Sequence, residues 1–133
     1  IVENEIKYKI IKPLFDLEVR YIDTEKGYGV FTNEFIAKDS IVELCYCLKL
    51  KMSDIQHPNY DYLFYNLPTN EHYFPFGNGV IYNHSFEANL DWYMADYDKN
   101  IIALFAIKDI NPNEELCHNY GELYWKARKK KLL

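Results

Sequence analysis

Apolar residues in this chain come in short runs, each closed by a turn signal, and nothing resembles a heptad or a long amphipathic helix. Residues 19–22 form a brief β-prone run before the polar turn Asp23-Thr24-Glu25-Lys26. Gly27-Tyr28-Gly29 then feeds Val30-Phe31, as a loop feeds a strand. Residues 41–48 make the clearest early strand, and strict alternation would put Val42, Leu44, Tyr46 and Leu48 on one face and Ile41, Glu43, Cys45 and Cys47 on the other. The aromatic stretch 61–65 fits either a strand or a helix. Leu90, Trp92 and Met94 alternate with Asp91 and Tyr93, and Asp98-Lys99-Asn100 reads as the turn of a hairpin into residues 101–107, apolar enough for a buried strand. Asn111-Pro112-Asn113 marks a further turn. Only residues 122–131 have helical composition, with Lys and Arg toward the end where they suit the dipole. The pattern predicts one mainly β domain over residues 1–133, made of several small sheets with one or two short helices, and no internal repeat.

Charge and cysteine narrow the partners. The net charge of −5 is unevenly spread: Lys126, Arg128, Lys129, Lys130 and Lys131 crowd the end, so residues 1–125 carry −10. An acidic body attracts basic partners and repels nucleic acid, and the basic segment 126–133 reads as a solvated helix end. Three cysteines are too few for a disulfide scaffold, which implies a reducing, intracellular setting. No secretory signal pattern is visible, and no apolar run reaches the 18 residues of a membrane helix.

Four constellations could carry chemistry. Gly27 and Gly29 permit close backbone approach to a ligand, and equally an ordinary turn; without a third glycine opening a helix they are not a dinucleotide fingerprint. Asn83-His84-Ser85 offers donors and acceptors, for a ligand or for holding a loop closed, after the glycine-containing approach Phe76-Gly77-Asn78-Gly79. Tyr120, Tyr124 and Trp125 could wall an apolar slot whose ring faces attract an ammonium or sulfonium, or could simply anchor the last helix. Cys45, Cys47, Cys117 and His118 are four nominal metal ligands at a spacing that fits no zinc motif, so no metal site is expected.

The order of these features is more specific than any one of them. Gly27-Tyr28-Gly29-Val30-Phe31, then Asn83-His84-Ser85 with Asn89, then Glu115-Leu116-x-x-Asn119-Tyr120-Gly121 resembles the succession in SET-domain protein lysine methyltransferases, most closely the minimal viral and bacterial type. The resemblance covers about residues 18–125 and is supported by segments 41–47 and 61–64 and by Tyr124-Trp125. It differs from the common family pattern at Asn119, where an Asp is usual, and at Phe86 and Ala88, where Cys and Pro are usual.

The resemblance implies a β-clip-like fold in which the Tyr120 segment threads under a preceding loop and a short helix closes the chain. It implies S-adenosylmethionine as cofactor, held by Lys26, Gly27, Tyr28, Gly29, Asn83 and His84, with Trp125 against the adenine. Tyr120 is the expected catalytic residue, orienting amine and methyl, and Tyr28, Tyr62 and Tyr124 are expected to wall the lysine channel. The implied partners are a basic peptide, with a histone H3 tail favoured, and a second copy of the chain as a homodimer. That substrate would place the protein at chromatin, in its own or a host nucleus; without it the expected place is the cytoplasm. The competing reading is a non-catalytic SET-like module binding a basic peptide; a nucleic-acid binder using segment 126–133 is a third.

Overall fold

In a computed structural model of the protein, residues 13–50 and 63–120 are described. Among the described residues the strands are β1 (Leu17–Asp23), β2 (Gly27–Thr32), β3 (Ile41–Leu50), β4 (Phe64–Asn66), β5 (Glu71–Pro75), β6 (Asn83–His84), β7 (Leu90–Asp96), β8 (Ile101–Ala106) and β9 (Glu115–His118), with a 3-10 turn at Leu67–Thr69. The small sheets join through shared strands in the order β1-β2-β9-β7-β8-β3-β5-β4, and β6 lies against β9. Most neighbours are antiparallel, but β6 and β7 meet β9 in parallel. The expected helix at 122–131 and the basic segment lie outside the described residues, and no described helix is long and apolar enough to cross a membrane.

Turn chemistry explains both long hairpins. Asp23 Oδ1 accepts the amides of Glu25 (3.0 Å) and Lys26 (2.7 Å), and Gly27 closes the turn at φ +69°. Asp96 Oδ1 does the same for Asp98 (2.9 Å) and Lys99 (3.0 Å), and Asn100 closes at φ +56°. Asp-x-x-Lys followed by Gly or Asn is thus one device used twice, because a short acceptor and a residue tolerant of positive φ are all it needs. In each case the register shifts at the Asp.

A second device also occurs twice, although no repeat is visible in the sequence. Ile36 and Ile110 exchange backbone hydrogen bonds (2.9 and 2.8 Å). Each then leads through a turn to a residue with positive φ, Asp39 (+72°) or Asn113 (+69°). The residues share little beyond the Ile and the short polar side chain, so composition hides the equivalence.

The core forms on both sides of β8, whose first four residues are fully buried. Ile102, Leu104 and Ala106 face the main cluster with Val30, Tyr82, Leu90 and Leu116, while Ile101 and Ala103 meet Leu44 on the other side. Strict alternation fails in β3. A bulge between Ile41 and Glu43 moves Val42 onto the side of Cys45 and Cys47, away from Leu44. Glu43 is buried on that same side, beside Cys45. Tyr46 and Leu48 are exposed.

Candidate active site

Three segments distant in sequence meet at β9. Antiparallel β2 brings the glycine turn to its side (Val30 opposite Leu116), and parallel β6 pairs Asn83 with Cys117 and His84 with His118. Asn83 is the junction: its Nδ2 donates to the Tyr28 carbonyl (3.1 Å) and to Glu115 Oε2 (2.7 Å). Gly29 sits directly beneath. A Cβ there would lie 2.5 Å from Glu115 Oε2 and 3.0 Å from Asn83 Nδ2, so this glycine makes room for the junction.

The loop after Asn83-His84 is tied back to β9. The Ser85 and Asn89 amides donate to the carbonyls of His118 (3.2 Å) and Cys117 (3.1 Å), and Ser85 Oγ accepts from the Glu87 amide (3.1 Å). Buried Asn89 clamps the strand with its side chain, donating to the Glu115 carbonyl (2.8 Å) and accepting the Cys117 amide (2.9 Å). Phe86, at the usual cysteine position, stands exposed with its ring edge-on to His84 (4.5 Å).

Tyr120 is fixed by main-chain and side-chain bonds together. Its amide donates to His84 Nδ1 (3.0 Å) and its hydroxyl to the Tyr82 carbonyl (2.8 Å). Its ring packs between those of His84 (5.1 Å) and His118 (4.7 Å). Because His84 Nδ1 accepts, the neutral ring carries its proton on Nε2. Burial lowers the pKa of His84, so both flanking imidazoles are uncharged at neutral pH.

The remaining expected residues fall in two groups. Tyr28 is at the site, 60% exposed, with its ring in a T-shaped contact with that of Tyr21 (5.6 Å). Lys26 belongs to the adjoining turn, and its charge reaches Cys117. Tyr62, Tyr124 and Trp125 lie outside the described residues. Residue chemistry alone did not single out Glu115 or Asn89; their only signal was their place in the ordered motifs.

The cysteines do not form a ligand cluster. Cys45 and Cys47 are core residues of β3, where burial raises both thiols, Cys47 to about 12. Cys117 is raised to about 12 by burial and by the Glu115 carboxylate beside it.

Buried His118 makes a testable link between the site and stability. Its Nδ1 has no hydrogen-bond partner among the described residues, and desolvation, with His84 adding, pulls its pKa from 6.5 down to about 4. Above pH 6.5 the ring is neutral folded or unfolded and contributes nothing. Below it the unfolded chain takes a proton that the folded chain refuses, so stability falls as pH drops from 6.5 to about 4. The total is on the order of 3 kcal/mol. Depressed His72 and His84 add to this slope, while Glu43, raised by burial, opposes it. Urea unfolding at a series of pH values measures it. The slope should flatten in His118→Leu, and an unchanged slope there contradicts the assignment.

Comparison with known proteins matches this architecture. Residues 27–121 match the SET domain family. The chain is 33% identical over 114 residues to a Schizosaccharomyces pombe histone-lysine N-methyltransferase specific for H3 lysine-37, covering 82% of this chain and 76% of that protein. The crystal structure of a candidate histone methyltransferase from Plasmodium falciparum superposes with a TM-score of 0.70 at 26% identity, covering 84% of this chain and 97% of the other. KRYPTONITE, in a complex with mCHH DNA, an H3(1-15) peptide and SAH, superposes with a TM-score of 0.65 at 26% identity. The match covers 80% of this chain and only 23% of KRYPTONITE. With the three motifs meeting at β9 and these likenesses over most of its length, the chain belongs to the SET-domain family and is a protein lysine N-methyltransferase.

Proposed function

We propose that the chain transfers a methyl group from S-adenosylmethionine to a lysine of a basic peptide, a histone H3 tail above all, with Tyr120 as the orienting residue. The observation that carries this reading is the Tyr120 hydroxyl. Its proton is committed to the Tyr82 carbonyl, so the oxygen offers lone pairs to whatever approaches. An acceptor so fixed can align an amine N–H and a polarised methyl. A phenol of reference pKa near 10 is a poor base at neutral pH, so its role is alignment.

The residues at the junction suit the cofactor. Lys26 offers a cation for its carboxylate, Glu115 and Asn83 offer polar contacts for its amine, and exposed Tyr28 suits a sulfonium. When bound, that group supplies an electrophilic methyl on a cationic sulfur. The chain's own part is to hold, orient and exclude water. Neutral His84 and His118 bring no competing positive charge to the ring of Tyr120. A lysine amine drawn into the aromatic wall loses hydration, which lowers its pKa toward the reactive neutral form. Tyr28, with Tyr62 and Tyr124, forms that wall in this reading, and Trp125 meets the adenine.

The histone preference is supported by the −10 carried by residues 1–125 and by the printed specificity of the fission-yeast relative. A place at chromatin follows from it. The homodimer and the viral or bacterial subtype rest on the sequence resemblance alone. Calorimetric titration with S-adenosylhomocysteine tests the cofactor: binding is expected, with the affinity reduced in Asn83→Ala. Binding of an H3 peptide without any cofactor binding would instead favour the non-catalytic module.

A further inference from the structure

The proposed reaction uses the Tyr120 hydroxyl but leaves unexplained what fixes the carbonyl that holds it. Behind that carbonyl lies the least expected buried group of the fold. Glu43 is 1% exposed, in a strand otherwise apolar around it. Its Oε1 accepts the hydroxyl of fully buried Tyr82 (2.5 Å) and its Oε2 accepts the Asn78 amide (3.0 Å). The Asn78 carbonyl in turn accepts the amides of Ile81 (2.8 Å) and Tyr82 (3.3 Å). Residue 82 is therefore held at its side chain by one carboxylate oxygen and at its backbone, through the turn, by the other.

The turn is shaped to reach this carboxylate. Gly77 has φ +68°, and a Cβ there would stand 2.5 Å from Glu43 Oε2. The segment 76–79, which looks mobile as a glycine-containing sequence, is a turn pinned from below. Burying a carboxyl is costly, and desolvation raises the pKa of Glu43 despite its hydrogen bonds. A glutamate whose only task was to fill space would be replaced at a gain by an apolar residue, so the two directed bonds are the reason to keep it.

We propose that Glu43 is a positioning residue for methyl transfer, acting through Tyr82 to fix the carbonyl that orients the Tyr120 hydroxyl. This rests on the reading of Tyr120 given above. A brace of this kind matters because catalysis by alignment is sensitive to small displacements of the aligning atom. It acts on turnover, and the hydrogen bonds of the Asn83–Glu115–Tyr28 junction do not pass through the carboxylate.

The test is a double-mutant cycle on the full chain, read as kcat, KM for an H3 peptide and the dissociation constant of S-adenosylhomocysteine, all well below each variant's Tm. Tyr82→Phe and Glu43→Gln are each expected to lower kcat by about tenfold with both affinities kept within about twofold. In a Tyr120→Phe background the same changes should cost less than about twofold further, because the group they position is gone. Full kcat in folded Tyr82→Phe overturns the proposal, and so does an undiminished loss in the Tyr120→Phe background, which would mark a purely structural role. Tyr82→Phe deletes one oxygen and keeps the packed ring, so it decides alone if Glu43→Gln does not fold. Failure of the underlying reading looks different: Tyr120→Phe by itself would then keep wild-type turnover.

Discussion

Tyr120→Phe is expected to lower kcat by about 10²-fold or more while leaving the affinity for S-adenosylhomocysteine nearly unchanged. The ring stays between His84 and His118, and the Tyr120 amide still donates to His84 Nδ1, so the backbone has no reason to move. What disappears is one oxygen whose direction was set by its bond to the Tyr82 carbonyl. That loss costs on the order of 1 kcal/mol of stability, small beside the effect on turnover. Steady-state kinetics with an H3 peptide and calorimetry with S-adenosylhomocysteine separate the two. A fall in cofactor affinity equal to the fall in kcat would mean that the hydroxyl binds rather than aligns.

Asn89→Ala should be the most damaging single change to the architecture of the site. The side chain pairs the Glu115 carbonyl and the Cys117 amide, groups on the strand that joins the glycine turn to β6. Alanine leaves both without this partner inside the fold. At about 1–3 kcal/mol for each stranded group, the loss should come to about 3 kcal/mol or more. Thermal melts should show this as a fall in Tm on the order of 10 °C. Asn89→Asp retains the acceptor for Cys117 and should lose less, with the difference between the two variants reporting the Cys117 bond. Equal losses would show that the cavity, not the pairing, matters.

How far sequence reached depended on the range of the physics involved. The turns at Asp23-Thr24-Glu25-Lys26 and Asp98-Lys99-Asn100 were legible because a turn is decided within a few residues, although Asp96 as the acceptor of the second was not. The buried character of β8 was legible because it is apolar at nearly every position. The faces of β3 were not, because a bulge is set by its partner strand and one extra residue reassigns Val42. Glu43 keeps the Cys45 side that alternation gives it, and its burial is set by Tyr82 and the Asn78 turn, which come from residues some 35–39 positions away.

The site divides in the same way. The ordered motifs named Asn83, His84 and Tyr120, and the fold does bring them together at β9. Spacing could not show that Asn83 touches Tyr28, 55 residues away, or that Gly29 is small to admit Glu115. A two-residue strand such as β6 carries almost no local signal, since its place is dictated by the parallel contact with β9. Tyr120 itself is typical of a residue whose meaning is non-local: its neighbours come from residues 82, 84 and 118.

The most direct test of the central claim is mass spectrometry of an H3 peptide after incubation with the protein and S-adenosylmethionine. A lysine of that peptide should gain methyl groups in a cofactor-dependent reaction, and Tyr120→Phe should abolish most of the gain. Unmodified peptide, from protein that is folded and binds S-adenosylhomocysteine, would contradict the histone reading. Equal methylation by wild type and Tyr120→Phe would contradict the role assigned to the hydroxyl.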